Sequence, residues 1–393
     1  FSELLARLRN YEGLKAANYA RERPSLSPYL EFLHALGDPQ KELKTIIIAG
    51  SKGKGTVVSN LEAMFRANGR KVGSYTSPHL RSPTERIRQD GEDISEQELA
   101  KLVEEAVFVS RETGYPLSFF ECMTACAFVH FARNMADICL LEVGLGGRLD
   151  ATNVTTPSVA VITSILLEHM KVLGEDLAQI AAEKAAVIRH GCKVVSAPQE
   201  PEVRDVLEER ARFQGTVVSY ANPERRNSAD AAPFEQINRA VARGAYKSMM
   251  NREPSGGWGD YVRMEGRFDV RQANGRDVIL DCAHHPYSLC RLLQRVKERY
   301  HTYELAFACL SDKDLQGMGR CIRSHRPVRL YLCELDDTRA VESNELIDNI
   351  ALETSCSYAI ISSDELKSVI SMKSETLVVT GSFRLVALAL DLI

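Results

Sequence analysis

Residues 45–57 read TIIIAGSKGKGTV, and the order of the parts in this stretch decides the fold. The run TIII has the β-branched composition of a buried strand. Gly50, Gly53 and Gly55 then break it, and TVVSNLEAMFRANG (56–69) goes on with helical spacing. A strand that turns through glycines into a helix aims backbone N–H groups and the positive end of a helix dipole at one point, which makes an anion site. A side chain on the turn would stand where the anion must approach. Lys54 is placed to reach outer phosphates, and the Thr56 hydroxyl to meet a phosphate oxygen or a magnesium ion. The strict GxxxxGK[ST] pattern is not met, because Ile48 stands at its first glycine and Gly55 separates Lys54 from Thr56. A flexible Gly and Lys turn is the plainer alternative; the flanking strand and helix favour phosphate.

The same alternation of β-branched runs and helical stretches continues on both sides of the loop, which predicts the α/β class, with parallel sheets covered by helices. Strands are expected at 45–50, 137–143, 158–164, 193–197 and 216–220. A second series follows at 277–283, 304–310, 328–335, 357–361 and 376–382. ISEQELAKLVEEA (94–106) starts a helix in which Ser95 and Glu98 have capping-box spacing. FFECMTACAFVHFA (119–132) is apolar nearly all round and so is expected to be buried, which obliges Glu121 inside it to be paired, neutral or metal-linked. The stretch NREPSGGWGD (251–260) concentrates Pro, Gly and Ser before the rhythm restarts, and a domain boundary is expected there, between residues 1–262 and 263–393.

The chain has 393 residues, 45% of them hydrophobic, which is enough for two cored domains. Its 49 Lys and Arg nearly balance 53 Asp and Glu, so no electrostatic case arises for a nucleic-acid or membrane-surface partner. Ten scattered cysteines with no CxxC pair predict a reduced, cytoplasmic protein without disulfides or zinc. No apolar run reaches membrane-span length, and FSELLARLRN (1–10) reads as an amphipathic helix rather than a secretion signal.

The loop GSKGKGT (50–56) resembles the GTxGKGS phosphate loop of the Mur ligase superfamily. Further segments resemble its folylpolyglutamate synthase and dihydrofolate synthase branch: YTSPHL (75–80), ERI (85–87), LEVGLGGRLDATN (141–153), ITSILLEH (162–169), EKA (183–185), GRFD (266–269) and DCAHHP (281–286). This resemblance implies a P-loop NTPase-like N-terminal domain with a parallel sheet and a smaller Rossmann-like C-terminal domain. It implies a ligase that uses ATP and magnesium (Mg2+) to join L-glutamate to a pterin acid through an acyl phosphate, acting as a monomer. It assigns Gly50, Ser51, Lys52, Gly53, Lys54, Gly55, Thr56, Asn238, Arg267, Asp281 and His284 to the nucleotide. Ser77, Glu142 and His169 are assigned to magnesium, and Lys184 to a carbamate that bridges to a second metal. Asp150 is placed near the pterin substrate.

Taken singly, His169 reads as a structural histidine, Ser77 before Pro78 as a turn residue and Lys184 as a surface helix lysine; their joint occurrence with the phosphate loop favours function. Each domain is expected to hold half of the site, so that closure protects the acyl phosphate from water. The chain departs from the branch at Lys52 and His285, each in place of Asn, at Cys282 in place of Gly and at Asp269 in place of Glu. The segment between Lys184 and Arg267 is also shorter. These departures leave open a non-folate acid, or a non-catalytic nucleotide-binding relative.

Overall fold

In the computed structural model, residues 25–222, 233–255, 265–351 and 356–393 are described, together with Leu5 and Leu8. Most of the N-terminal stretch expected to be an amphipathic helix, and part of the expected boundary stretch 251–260, lie outside the described residues. The chain divides into two compact units, Phe1–Val262 and Arg263–Ile393.

The first unit carries an eight-stranded sheet. Its strands are β1 (Thr45–Ala49), β2 (Val72–Tyr75), β3 (Ile87–Gln89), β4 (Glu92–Asp93), β5 (Ile138–Glu142), β6 (Val159–Ile162), β7 (Lys193–Ser196) and β8 (Val218–Tyr220). They lie in the order β4-β3-β2-β5-β1-β6-β7-β8. β3 and β4 pair antiparallel at one edge, and the other strands pair parallel. Among the described residues, the helices of eight residues or more are α1 (Ser27–Ala35), α2 (Lys54–Ala67), α3 (Glu96–Thr113), α4 (Phe119–Arg133), α5 (Leu177–Ala185), α6 (Pro201–Phe213) and α7 (Pro233–Met250).

Alternation along β1 explains the layering. Ile46 and Ile48 point to one face, where they share a core with Val57, Leu61, Phe65 and Tyr246 of α2 and α7. Ile47 and Ala49 point to the other, against Leu99, Cys122 and Phe128 of α3 and α4. A strand covered on both faces needs apolar residues at every position, which is why TIII shows no polar alternation. Each fully buried Ile contributes about 1.5–3 kcal/mol.

The second unit has a six-stranded sheet of β9 (Asp269–Ala273), β10 (Arg276–Asp281), β11 (Glu304–Phe307), β12 (Arg329–Cys333), β13 (Ser357–Ile361) and β14 (Leu377–Thr380). The order is β13-β12-β11-β14-β10-β9, with only β9 antiparallel. Its longer helices are α8 (Pro286–Tyr300), α9 (Leu315–His325), α10 (Ser363–Ile370) and α11 (Phe383–Leu392).

Two local expectations are corrected. Ser95 caps α3 through the Glu98 N–H at 3.2 Å, but Glu98 turns outward to His130 Nδ1 at 2.8 Å, so no capping box closes there. The sulfurs of Cys290 and Cys321 are joined across α8 and α9, where their Cα atoms stand 5.5 Å apart, so the expectation of reduced cysteines fails at this pair. A separation of 31 residues carries no spacing signal; helix packing alone brings the two together. The other eight cysteines form no disulfide. No helix among the described residues is long and apolar enough to cross a membrane.

Candidate active site

The order of the first sheet reverses beside β1, since the chain moves outward to β2 and later returns through β5 to β6. Ligands of open α/β sheets bind at the carboxyl ends of such strands. Four loops carry the candidate residues there, after β1, β2, β5 and β6.

The loop after β1 is held by the loop after β6. Ser164 O accepts the Ser51 and Lys52 N–H groups at 2.9 and 3.3 Å, and Ser51 Oγ exchanges hydrogen bonds with the backbone of Leu166. A Cβ at Gly50, where φ is 139°, would overlap Thr163 Oγ1; one at Gly53, where φ is 91°, would overlap the Asn238 carboxamide. Asn238, buried on α7, therefore packs directly on the turn. Because Gly53 caps α2 without a side chain, the first-turn N–H groups of Lys54, Gly55 and Thr56 lack intrahelical acceptors and face outward as an anion cradle.

Lys54 Nζ and Lys184 Nζ both donate to Gly50 O at 3.1 Å. Lys184 also donates to Glu168 Oε1 at 3.0 Å, and Lys52 stands 3.8 Å from Glu168 Oε2. One carboxylate thus pairs with two lysines, and the charge of Lys54 also acts on it. Burial would raise the Glu168 pKa, yet Lys184, Lys54 and Lys52 together hold it at about 2. Burial lowers the Lys184 pKa, and Glu168 only partly offsets this. Lys184 is 2% exposed, so it is not the surface helix lysine that its sequence neighbours suggest. Lys184 Nζ is bonded to Glu168 here, and carbamylation would require it to part from that carboxylate.

Glu142, buried at the end of β5, accepts the Ser77 N–H at 3.3 Å. His169 follows Glu168 with φ 47° and ψ 37°, a left-handed conformation that few residues other than glycine adopt. Glu142 and Ser77 thus meet between the loops after β5 and β2, while His169 stands on the loop after β6; carboxylate, hydroxyl and imidazole are donor types that suit a hard divalent cation.

Asp150, expected on the substrate side, is bonded within its own loop. Its Oδ2 accepts Gly144 and Leu145 N–H at 2.9 and 3.1 Å, and its Oδ1 accepts Thr152 N–H and Oγ1 at 3.0 and 2.6 Å. Both oxygens are engaged in folding the GLGGRLD loop. Glu121 is explained likewise: it closes a capping box with Ser118 and accepts Tyr115 Oη at 2.5 Å.

Arg267, Asp281 and His284 gather at the carboxyl end of β10 in the second unit. Asp281 accepts Phe268 N–H at 2.8 Å and Ala283 N–H at 2.9 Å. Burial raises its pKa, against the pull of Arg267. His284 Nδ1 is 2.8 Å from Cys282 O. Sequence reading missed Glu168, although it adjoins His169, and Phe383, whose ring contacts both Arg267 and His284.

The description "Mur ligase, glutamate ligase domain" matches residues 266–383. With the phosphate loop of the first unit, it defines the class as Mur-type, ATP-dependent amide ligases. The chain is 29% identical to the dihydrofolate synthase/folylpolyglutamate synthase of Bacillus subtilis, over 92% of this chain and 93% of that protein. It is 30% identical to the Escherichia coli protein of the same name, over 88% and 86%. A bifunctional folylpolyglutamate synthase/dihydrofolate synthase solved with Mn, AMPPNP and L-glutamate bound superposes with a TM-score of 0.80 at 29% identity, covering 93% of both chains. The chain belongs to the dihydrofolate synthase/folylpolyglutamate synthase family.

Proposed function

We propose that this chain joins L-glutamate to a pterin acid, dihydropteroate or a folate, at the expense of ATP. The convergence of Lys54 and Lys184 on Gly50 O, beside an outward-facing helix N-terminus, carries this reading. A carboxylate is a poor electrophile, and phosphorylation gives it a leaving group that the glutamate amine displaces. Lys54 and the α2 N–H groups neutralise the transferring phosphoryl oxygens. Ser77, Glu142 and His169 would hold magnesium, with Lys184 as its carbamate at a second metal. When bound, the cation polarises phosphoryl oxygens. The lowered pKa of Lys184 favours the neutral amine that carbamylation needs.

Asn238 steadies the loop on the adenine side, and Arg267, Asp281 and His284 of the ligase domain contact the nucleotide. Asp150 shapes the loop bordering the pterin site. A cytoplasmic monomer is the setting read from the cysteine thiols and the family resemblance, and gel filtration tests the oligomeric part of that reading.

The deciding experiment measures ADP release with Mg-ATP and either dihydropteroate or tetrahydrofolate, with and without L-glutamate. ADP that appears only when acid and glutamate are both present is the expected result. Silence with both pterins while Mg-ATP still binds would overturn the pterin assignment.

A further inference from the structure

Phe383 opens α11 at the carboxyl end of β14, the strand paired with β10. The Arg267 guanidinium lies 5.2 Å from the centre of its ring, and the His284 and Phe383 ring centres are 5.6 Å apart. Two groups on two different turns therefore rest on one aromatic side chain.

The backbone determines where that ring stands. Gly381 N–H and Thr380 Oγ1 both donate to Ala283 O, at 3.0 and 3.2 Å, which ties the loop after β14 to the loop after β10. Gly381 has φ 101°, and a Cβ there would overlap Ala308 O, so only glycine lets the chain turn this tightly into α11. On the facing side, the hydrogen bonds of Asp281 to Phe268 and Ala283 set the two turns that bear Arg267 and His284.

Arg267 is an exposed side chain, and ordering it from solution costs about 1.5–2 kcal/mol of rotamer entropy. The face of an aromatic ring attracts a cation and narrows its rotamers before any ligand arrives. The bond of His284 to Cys282 O holds the imidazole at one edge, and the ring of Phe383 supports its face.

We propose that Phe383 is a positioning residue, a shared platform that preorganises Arg267 and His284 for the nucleotide; this rests on the assignment of those two residues to the nucleotide. The test is calorimetric titration of the full chain with Mg-ATP, alongside steady-state kinetics. Phe383→Leu should weaken Mg-ATP binding about 3- to 30-fold, the range that cation–π contacts span. It should raise KM for ATP and leave KM for glutamate unchanged. Phe383→Tyr, which keeps the ring, should bind within about twofold of the parent, and Arg267→Ala/Phe383→Leu should lose less than the product of the two single losses, because only the His284 share of the platform is then left to lose.

Melting curves confirm that each variant is folded, and Phe383→Met carries the same expectation if the Leu variant fails to fold. Parent-like binding by folded Phe383→Leu or Phe383→Met, with Arg267→Ala impaired, overturns the platform and leaves the nucleotide assignment standing. An additive double variant does the same. Parent-like binding by both Arg267→Ala and His284→Ala overturns the assignment itself, and the platform with it.

Discussion

Lys54 and His169 illustrate how differently two residues of the proposed site are constrained. Lys54 leaves the first turn of α2 and reaches back to Gly50 O, so its removal takes charge from the cradle without disturbing the core. Lys54→Ala should lower turnover by at least about 100-fold, in the range seen for loss of a charge-stabilising donor, with an unchanged melting curve. An active variant would refute the phosphate role. His169 adds a backbone constraint, since its φ of 47° disfavours residues with a Cβ. His169→Gly and His169→Ala should both lose activity, but the glycine variant should be more stable by about 1 kcal/mol in urea unfolding. Equal stabilities would show that the left-handed turn stores no strain.

At the scale of elements, the start of α4 depends on one carboxylate. Glu121 receives the Ser118 N–H and Oγ at 2.9 and 2.6 Å, and the Tyr115 hydroxyl, all of them buried. Glu121→Ala should cost about 1–3 kcal/mol, because it strands these donors, and activity per folded molecule should persist. Loss of activity without loss of stability would return Glu121 to the metal-linked reading. The Asp150 loop follows the same logic: a single carboxylate gathers Gly144, Leu145 and Thr152 and so shapes the rim after β5.

For the molecule as a whole, the lysine cluster around Glu168 links stability to pH. Glu168 titrates at about 2 in the fold, against an ordinary 4.5. A depressed carboxyl pKa contributes stability that is complete above 4.5 and is lost as pH falls toward 2. Glu168→Gln should therefore be less stable than the parent at neutral pH, with the gap closing as pH drops through that window. Urea midpoints measured against pH check this. A gap that stays constant would mean that the ion pairs contribute nothing net.

The α/β class, most strands and the phosphate loop were legible because each depends on neighbours in sequence: TIII is apolar throughout since β1 is covered on both faces, and Gly50 and Gly53 occupy positive-φ turns. Strands β2, β3, β4 and β9 escaped notice: β3 and β4 have too few residues to show a period, and Gly and Ser in β2 and Arg and Gln in β9 interrupt the apolar pattern. The charge balance of Glu168 among Lys52, Lys54 and Lys184 and the seat of Arg267 and His284 on Phe383 join residues up to 116 positions apart, as Lys52 and Glu168 are, whereas the two-way bond between Ser118 and Glu121 spans three residues and is local. Local composition records what each segment buries. Only the packed chain determines which polar group meets which, because a buried charge is satisfied by whatever the fold places within hydrogen-bond reach.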